Sequence, residues 1–148
     1  MRLLHLYWPH LLLDLASRRS GSFPPGPVVI GGKPWTAGTV LDANPAAREL
    51  GIRRGTPLGS AHRLAPEATF ADPDPDGDRA AAEAAFEALA AFSPGLAGTA
   101  DPADPAFGLL AVQVDGLHAL WGPEPVLVRR LARALEPILP GRSEEHTS

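Results

Sequence analysis

The hydrophobic positions of this chain change spacing several times, and each change marks an element. The apolar run ending at Tyr7 predicts a short buried strand over Arg2 to Tyr7, and Pro9, suited to a helix start, leads into a helix over Leu11 to Ser17. GSFPPGP, residues 21 to 27, is a loop, after which Val28 to Ile30 and Thr39 to Leu41 are expected to pair around GGKPWTAG. Asn44 is a good N-cap with Pro45 at the first helical position, and Gly51 closes that short helix. Thr56-Pro57 repeats the start signal for a helix that ends before Pro66. From Asp78 to Phe92 the stripe Ala82, Ala85, Phe86, Leu89, Phe92 has helical spacing, with Glu83 and Glu87 on the wet face. Leu96 to Thr99 and Leu109 to Val114 read as strands joined by a turn-rich segment. A last helix from Glu124 turns Leu127, Leu131, Leu135 and Ile138 inward and Arg129, Arg130 and Arg133 outward.

That order, a strand, a small mixed insertion, then helix, strand, strand and helix, predicts an α+β fold. It is an incomplete ferredoxin-like sheet (βαββα, fourth strand missing) carrying a small α/β insertion. The absent strand would leave an open sheet edge. The last seven residues, RSEEHTS (142–148), match the in-frame translation of a common short-read sequencing adapter, so the natural sequence is expected to stop near Gly141 and the chain to be the N-terminal fragment of a longer protein.

Composition narrows the classes further. The 148 residues contain no Cys, which excludes disulfides and thiolate metal sites. The apolar segment Leu3 to Ala16 is broken by Pro9, His10 and Asp14 and lacks a cleavage site, and no stretch could span a membrane, so a cytoplasmic protein is expected. The net charge of −4 becomes −3 when the one Arg and two Glu of the tail are set aside.

The segment VLDANPAARELGIRRGTPLGSAHRLAPEA, Val40 to Ala68, resembles the fingers of the Y-family (UmuC/DinB-like) DNA polymerases, whose members read roughly A-S-Y-E-A-R, then G-V-R and G-M-P-L, then Ala, Leu and Pro at the spacing of Ala61, Leu64 and Pro66. PVVIGGKP, Pro27 to Pro34, matches the preceding fingers strand, and LLHLYWPHLLL stands where the first palm strand belongs. The resemblance implies a palm over 1–22, a fingers-like insertion over 23–75, and the continued, truncated palm over 76–141.

In that family the first strand carries an Asp that holds the catalytic metals. Aligned on His5, its place is taken by Tyr7, followed by Trp8 and Pro9. The second carboxylate pair falls on Gly108 and Leu109 when VQVDG is aligned with the family's L-D-V-T-G. Two divalent ions ~4 Å apart repel by ~17 kcal/mol at an effective dielectric of ~20, so in-line nucleotidyl transfer requires anionic ligands to hold the pair. A phenol, a hydrogen and an isobutyl group supply none.

The pattern resembles the ImuB-type relatives that lack catalytic carboxylates. It implies a non-catalytic adaptor in DNA repair and damage-induced mutagenesis, with no metal and no cofactor. The implied partners are the sliding clamp, an error-prone replicative-type polymerase and a RecA-like accessory protein, all reached through segments beyond Gly141. The alternative is an active error-prone translesion polymerase that holds Mg²⁺ with displaced carboxylates, for which Asp14, Asp104 and Asp115 are the candidates.

Four arginines, Arg48, Arg53, Arg54 and Arg63, stand against Glu49 alone within residues 44–64, a local charge of +3. They are the candidate nucleotide- or DNA-binding surface, expected to be weak on an acidic chain; Arg48 also matches the family's triphosphate-contacting Arg. Asp72, Asp74, Asp76, Gly77 and Glu83 fit the calcium-loop spacing, but Pro73, Pro75 and Arg79 argue for an acidic turn and a helix start, with Asp76 and Asp78 at its positive end. The histidines lack zinc-ligand spacing. Trp35 and Trp121 are expected to be packing anchors, and Leu12 stands at the family's steric-gate position.

Overall fold

The computed structural model describes residues 2–141 and 144–147. In chain order its elements are β1 (Leu3–Tyr7), α1 (Leu11–Ser20), β2 (Val28–Ile30), β3 (Asp42–Ala43), α2 (Pro45–Glu49), α3 (Leu58–Leu64), β4 (Thr69–Ala71), α4 (Pro75–Ala90), β5 (Leu96–Gly98), β6 (Leu109–Gln113), α5 (His118–Trp121), α6 (Glu124–Leu135) and β7 (Glu144–Thr147). They form two compact units: Met1–Leu11 with Pro75–Ser148, and Leu12–Asp74.

The discontinuous unit is built on an antiparallel sheet of order β5-β6-β1-β7, the ferredoxin-like arrangement expected from the pattern. Leu4 pairs with Val112 and Leu6 with Leu110. Alternate strand residues project to one face, so these four share a side, and all four are buried. The buried stripes Ala82, Ala85, Leu89 of α4 and Leu127, Leu131, Leu135 of α6 recur every three or four residues. Each fully buried Leu contributes roughly 1.5–3 kcal/mol. Beyond α6 the buried residue is Leu139, one further step of four, whereas Ile138, expected to point inward, is only half-buried.

The fourth strand is a correction. It was expected to be missing, yet Glu144–Thr147 lies antiparallel to β1, with Tyr7 opposite Glu144 and Leu6 opposite Glu145. The outer edge of β1 offers a row of N–H and C=O groups, and backbone pairing satisfies them whatever side chains the added strand carries.

The continuous unit centres on β2, which pairs antiparallel with β3 and parallel with β4. The partner strand expected at Thr39–Leu41 is displaced to Asp42–Ala43. Val40 is taken by the following loop, bonding Thr56 O and Gly55 N at 2.8 Å each, while Leu41 N still reaches Ile30 O. The pattern did not announce β4, of which Phe70 alone is buried. Asn44 caps α2 as expected: its Oδ1 accepts from Ala47 N at 3.0 Å and from Val28 N at 2.9 Å, and its Nδ2 donates to Gly26 O at 2.9 Å, tying helix start, strand and loop together. Asp42 accepts from Leu13 N in the first turn of α1 at 3.0 Å. Val29, Val40, Ile52, Leu58 and Phe70 form the main core, and Ala16, Val28 and Ile30 a second cluster.

Candidate functional site

The β1–β6 ladder brings the three degenerate positions together. Tyr7, the last residue of β1, stands opposite Leu109, the first of β6. The next residue, Trp8, is buried and donates its N–H to Gly108 O at 2.9 Å. Gly108 sits at φ +97°, and a Cβ there would lie 2.6 Å from Trp8 O and 3.4 Å from Leu11 Cβ. No carboxylate therefore fits at 108 without moving the Trp8 backbone. Tyr7 is half-buried and offers a phenol instead of a carboxylate, and Leu109 is partly exposed and apolar. The groups present do not suit a pair of divalent cations, and among the described residues no cluster of three or more His, Asp or Glu could hold a metal.

The displaced carboxylates are occupied elsewhere. Asp115 accepts from Arg2 N with both oxygens, at 3.0 and 2.9 Å. That main-chain donation, with a smaller contribution from the Gln113 side chain, holds the carboxyl below its ordinary range. It ties down the Arg2 end of β1, the opposite end from Tyr7 and five residues or ~17 Å away along the chain. Asp104 closes a turn by accepting from Ala106 N at 2.8 Å. Asp14 lies in the other unit, lining a shallow groove with Leu13, Ser17 and Phe23.

The four candidate arginines all lie in the continuous unit, and each guanidinium donates to an atom of the unit itself. Arg48 donates to Ala43 O, Arg53 to Arg48 O and to Ile52 O, Arg54 to Leu41 O at 3.1 Å, and Arg63 to Ser60 Oγ at 3.1 Å. Arg53 thus closes the C-terminal end of α2, where carbonyls lack intrahelical partners. A guanidinium carries five N–H donors in a fixed fork, and these bonds fix where each charge stands. Arg53, Arg54 and Arg63 are exposed and Arg48 half-buried.

Trp35, expected to pack, is instead 80% exposed. It lies in the loop GGKPWTAG, pinned by Thr36 Oγ1 to Lys33 O at 2.6 Å and by Lys33 Nζ to Phe70 O at 3.0 Å, bonds that fix the loop without burying the indole. Trp121 does pack, with its ring 4.8 Å from that of Phe92. Leu12 is buried. The calcium-spaced acidic run does not form one continuous loop: Asp72 and Asp74 precede α4, which begins at Pro75 with Asp76 and Asp78 in its first turn. Among the described residues no helix is long and apolar enough to cross a membrane.

The impB/mucB/samB family model matches residues 14–139. The DNA polymerase IV proteins of two strains of Dehalococcoides mccartyi are 41% identical over 70 residues and 33% over 95 residues, covering 47% and 64% of this chain and 18% and 24% of theirs. That of Staphylococcus haemolyticus is 29% identical over 69 residues, 47% of this chain and 19% of its own. The chain thus spans about a fifth to a quarter of the length of these relatives. The crystal structure of DinB from Sulfolobus solfataricus superposes with a TM-score of 0.77 at 18% identity over 100% of this chain and 42% of that one. An insertion ternary complex of Dbh DNA polymerase gives 0.76 at 16% identity, over 100% and 42%.

Proposed function

Because the chain belongs to the impB/mucB/samB family, within the Y-family polymerases, we propose that it serves as a non-catalytic, polymerase-like adaptor in DNA repair and damage-induced mutagenesis. One observation carries the reading: the strand ends that should hold metal ligands present Tyr7, Gly108 and Leu109, and the 108 position is closed to any side chain by Trp8 O at 2.6 Å. A polymerase fold without anionic ligands keeps its surfaces and loses the chemistry. Weak DNA contact through Arg48, Arg53, Arg54 and Arg63 fits an adaptor held at a primer terminus, and the exposed Trp35 in the same unit adds a ring on which a base could stack. The sliding clamp, an error-prone replicative-type polymerase and a RecA-like protein are the proposed partners, and the cytoplasm is the proposed compartment.

The test is primer extension with Mg²⁺ or Mn²⁺ by the natural full-length protein, beside a clamp pull-down from purified components. No templated incorporation with retained clamp binding is the expected result. Incorporation that vanishes in Asp14→Ala or Asp115→Ala would overturn the reading and establish a translesion polymerase with displaced ligands.

A further inference from the structure

The outward face of α6 carries the most concentrated charge that the discontinuous unit has to offer a partner. Arg129, Arg130 and Arg133 occupy positions i, i+1 and i+4 of one helix and are exposed. Among the described residues none of the three guanidiniums has a hydrogen-bond or ion-pair partner, in contrast to the four arginines of the continuous unit. They border a groove of about 560 Å³ whose apolar lining is Phe92, Trp121, Val126 and Ala134. The Phe92 and Trp121 rings meet at 4.8 Å and 47°, and Leu120, next to Trp121, is 76% exposed. Half-buried aromatics lining one groove with unpaired arginines combine an apolar anchor site with a charged rim, the composition of a peptide-binding surface.

Charge selects the occupant. Met1–Leu11 with Pro75–Ser148 contain eleven Asp and Glu against six Arg. A long polyanion running beyond the groove would extend over a unit of net negative charge, which disfavours it. A short acidic segment, anchored by one or two apolar side chains, would meet a groove whose lining holds the three arginines, Phe92, Trp121, Val126 and Ala134 and no carboxylate, Glu136 and Glu145 lying instead in the neighbouring groove that Arg129 and Arg133 also border. We infer that the α6 groove docks an acidic peptide segment of a partner protein, with carboxylates on Arg129, Arg130 and Arg133 and an aromatic or Leu side chain against Phe92, Trp121 and Val126. This site lies within the present chain, whereas the partner contacts implied by the family resemblance were expected beyond Gly141, and it holds whether or not the protein turns over nucleotides.

The test is fluorescence anisotropy with the 148-residue chain and a fluorescein-labelled twelve-residue peptide of Asp and Glu around a central Leu-Phe. A peptide with every carboxylate replaced by its amide and a labelled twelve-nucleotide oligothymidylate are run beside it. Expected are affinity at least about tenfold higher for the acidic peptide than for the amide, a drop of about thirtyfold or more in Arg129→Glu/Arg130→Glu/Arg133→Glu, a smaller drop in the same triple change to Gln, and weakening by Val126→Asp, all with unchanged circular dichroism. Equal binding of acid and amide peptides, or indifference to the arginine changes, would overturn the inference. So would oligothymidylate binding as tightly through the same arginines, which would make the groove a nucleic-acid site.

Discussion

Gly108 offers a quantitative check on the claim that the degenerate site is closed by its backbone. Gly108→Ala introduces a Cβ 2.6 Å from Trp8 O at φ +97°, whereas Gly116→Ala introduces one at φ +75° with nothing within 4 Å. Both variants carry the positive-φ penalty of roughly 1–2 kcal/mol. Only at 108 must the chain also move Trp8, a buried residue, and loosen the Trp8 N to Gly108 O bond, worth about 1 kcal/mol with a further cost of about 1–3 kcal/mol if the buried groups are left unpaired. The expected costs are about 3–6 kcal/mol at 108 and about 1–2 kcal/mol at 116, against a total stability of roughly 5–15 kcal/mol for an ordinary domain. With a urea slope of about 1–3 kcal/mol per molar, a difference of about 2 kcal/mol separates the two midpoints by roughly 1 M. Equilibrium urea unfolding of both variants, followed by far-ultraviolet circular dichroism, reads this directly. Midpoints within about 0.2 M of each other would refute the argument, and a carboxylate at 108 would then be sterically admissible.

Asn44→Ala removes the α2 cap and two further bonds, to Val28 N and Gly26 O, and should cost roughly 2–4 kcal/mol in the same unfolding experiment. The Asp115 carboxyl, held down by Arg2 N, should titrate below its ordinary value in a carbon-detected NMR series. Its stabilising effect is complete above the unfolded carboxylate pKa near ~3.9, fades as pH falls through the depressed folded value, and should be absent in Asp115→Asn. Tyr7→Asp restores one anionic group opposite Leu109, and calorimetry with Mn²⁺ should still detect no two-ion binding, because one carboxylate does not offset the repulsion between paired divalent ions. Arg53→Glu/Arg54→Glu should weaken single-stranded DNA binding and lower the magnitude of its log–log salt slope by about 1 to 2, as measured by anisotropy between 50 and 200 mM salt.

Features encoded in consecutive residues were legible. Asn44-Pro45 announced α2 because cap chemistry is local, and Leu127, Leu131 and Leu135 announced α6 because burial repeats along one face. Features that depend on distant pairing were not. Thr69–Ala71 is a strand only because Val28–Ile30 lies parallel beside it, and the partner of β2 shifted from Thr39–Leu41 to Asp42–Ala43 once the loop after it claimed Val40. At the candidate site the missing charge at Tyr7, Gly108 and Leu109 was visible in the residue types, but the obstruction at Gly108 comes from the main chain of Trp8. Likewise the carbonyls that receive Arg48, Arg53 and Arg54 have no signature in side-chain identity. Trp35 was misjudged because an indole is usually buried and the short loop that holds it is fixed through Lys33 and Thr36 instead.

The split of one unit around the other sets an order of events during synthesis. Leu3 pairs with Gln113 across an interval of more than a hundred residues, a loop closure that local contacts do nothing to hasten. The segment Leu12–Asp74 has all its own strands once Asp74 has been made, but the apolar strand before it must wait about 40 residues longer, roughly 2–8 seconds at ribosomal speeds. For that interval the nascent amino terminus is an adhesive ribbon. Its protection by a chaperone, or its capture by a neighbouring nascent chain, would decide the yield of native molecules long before any partner is met.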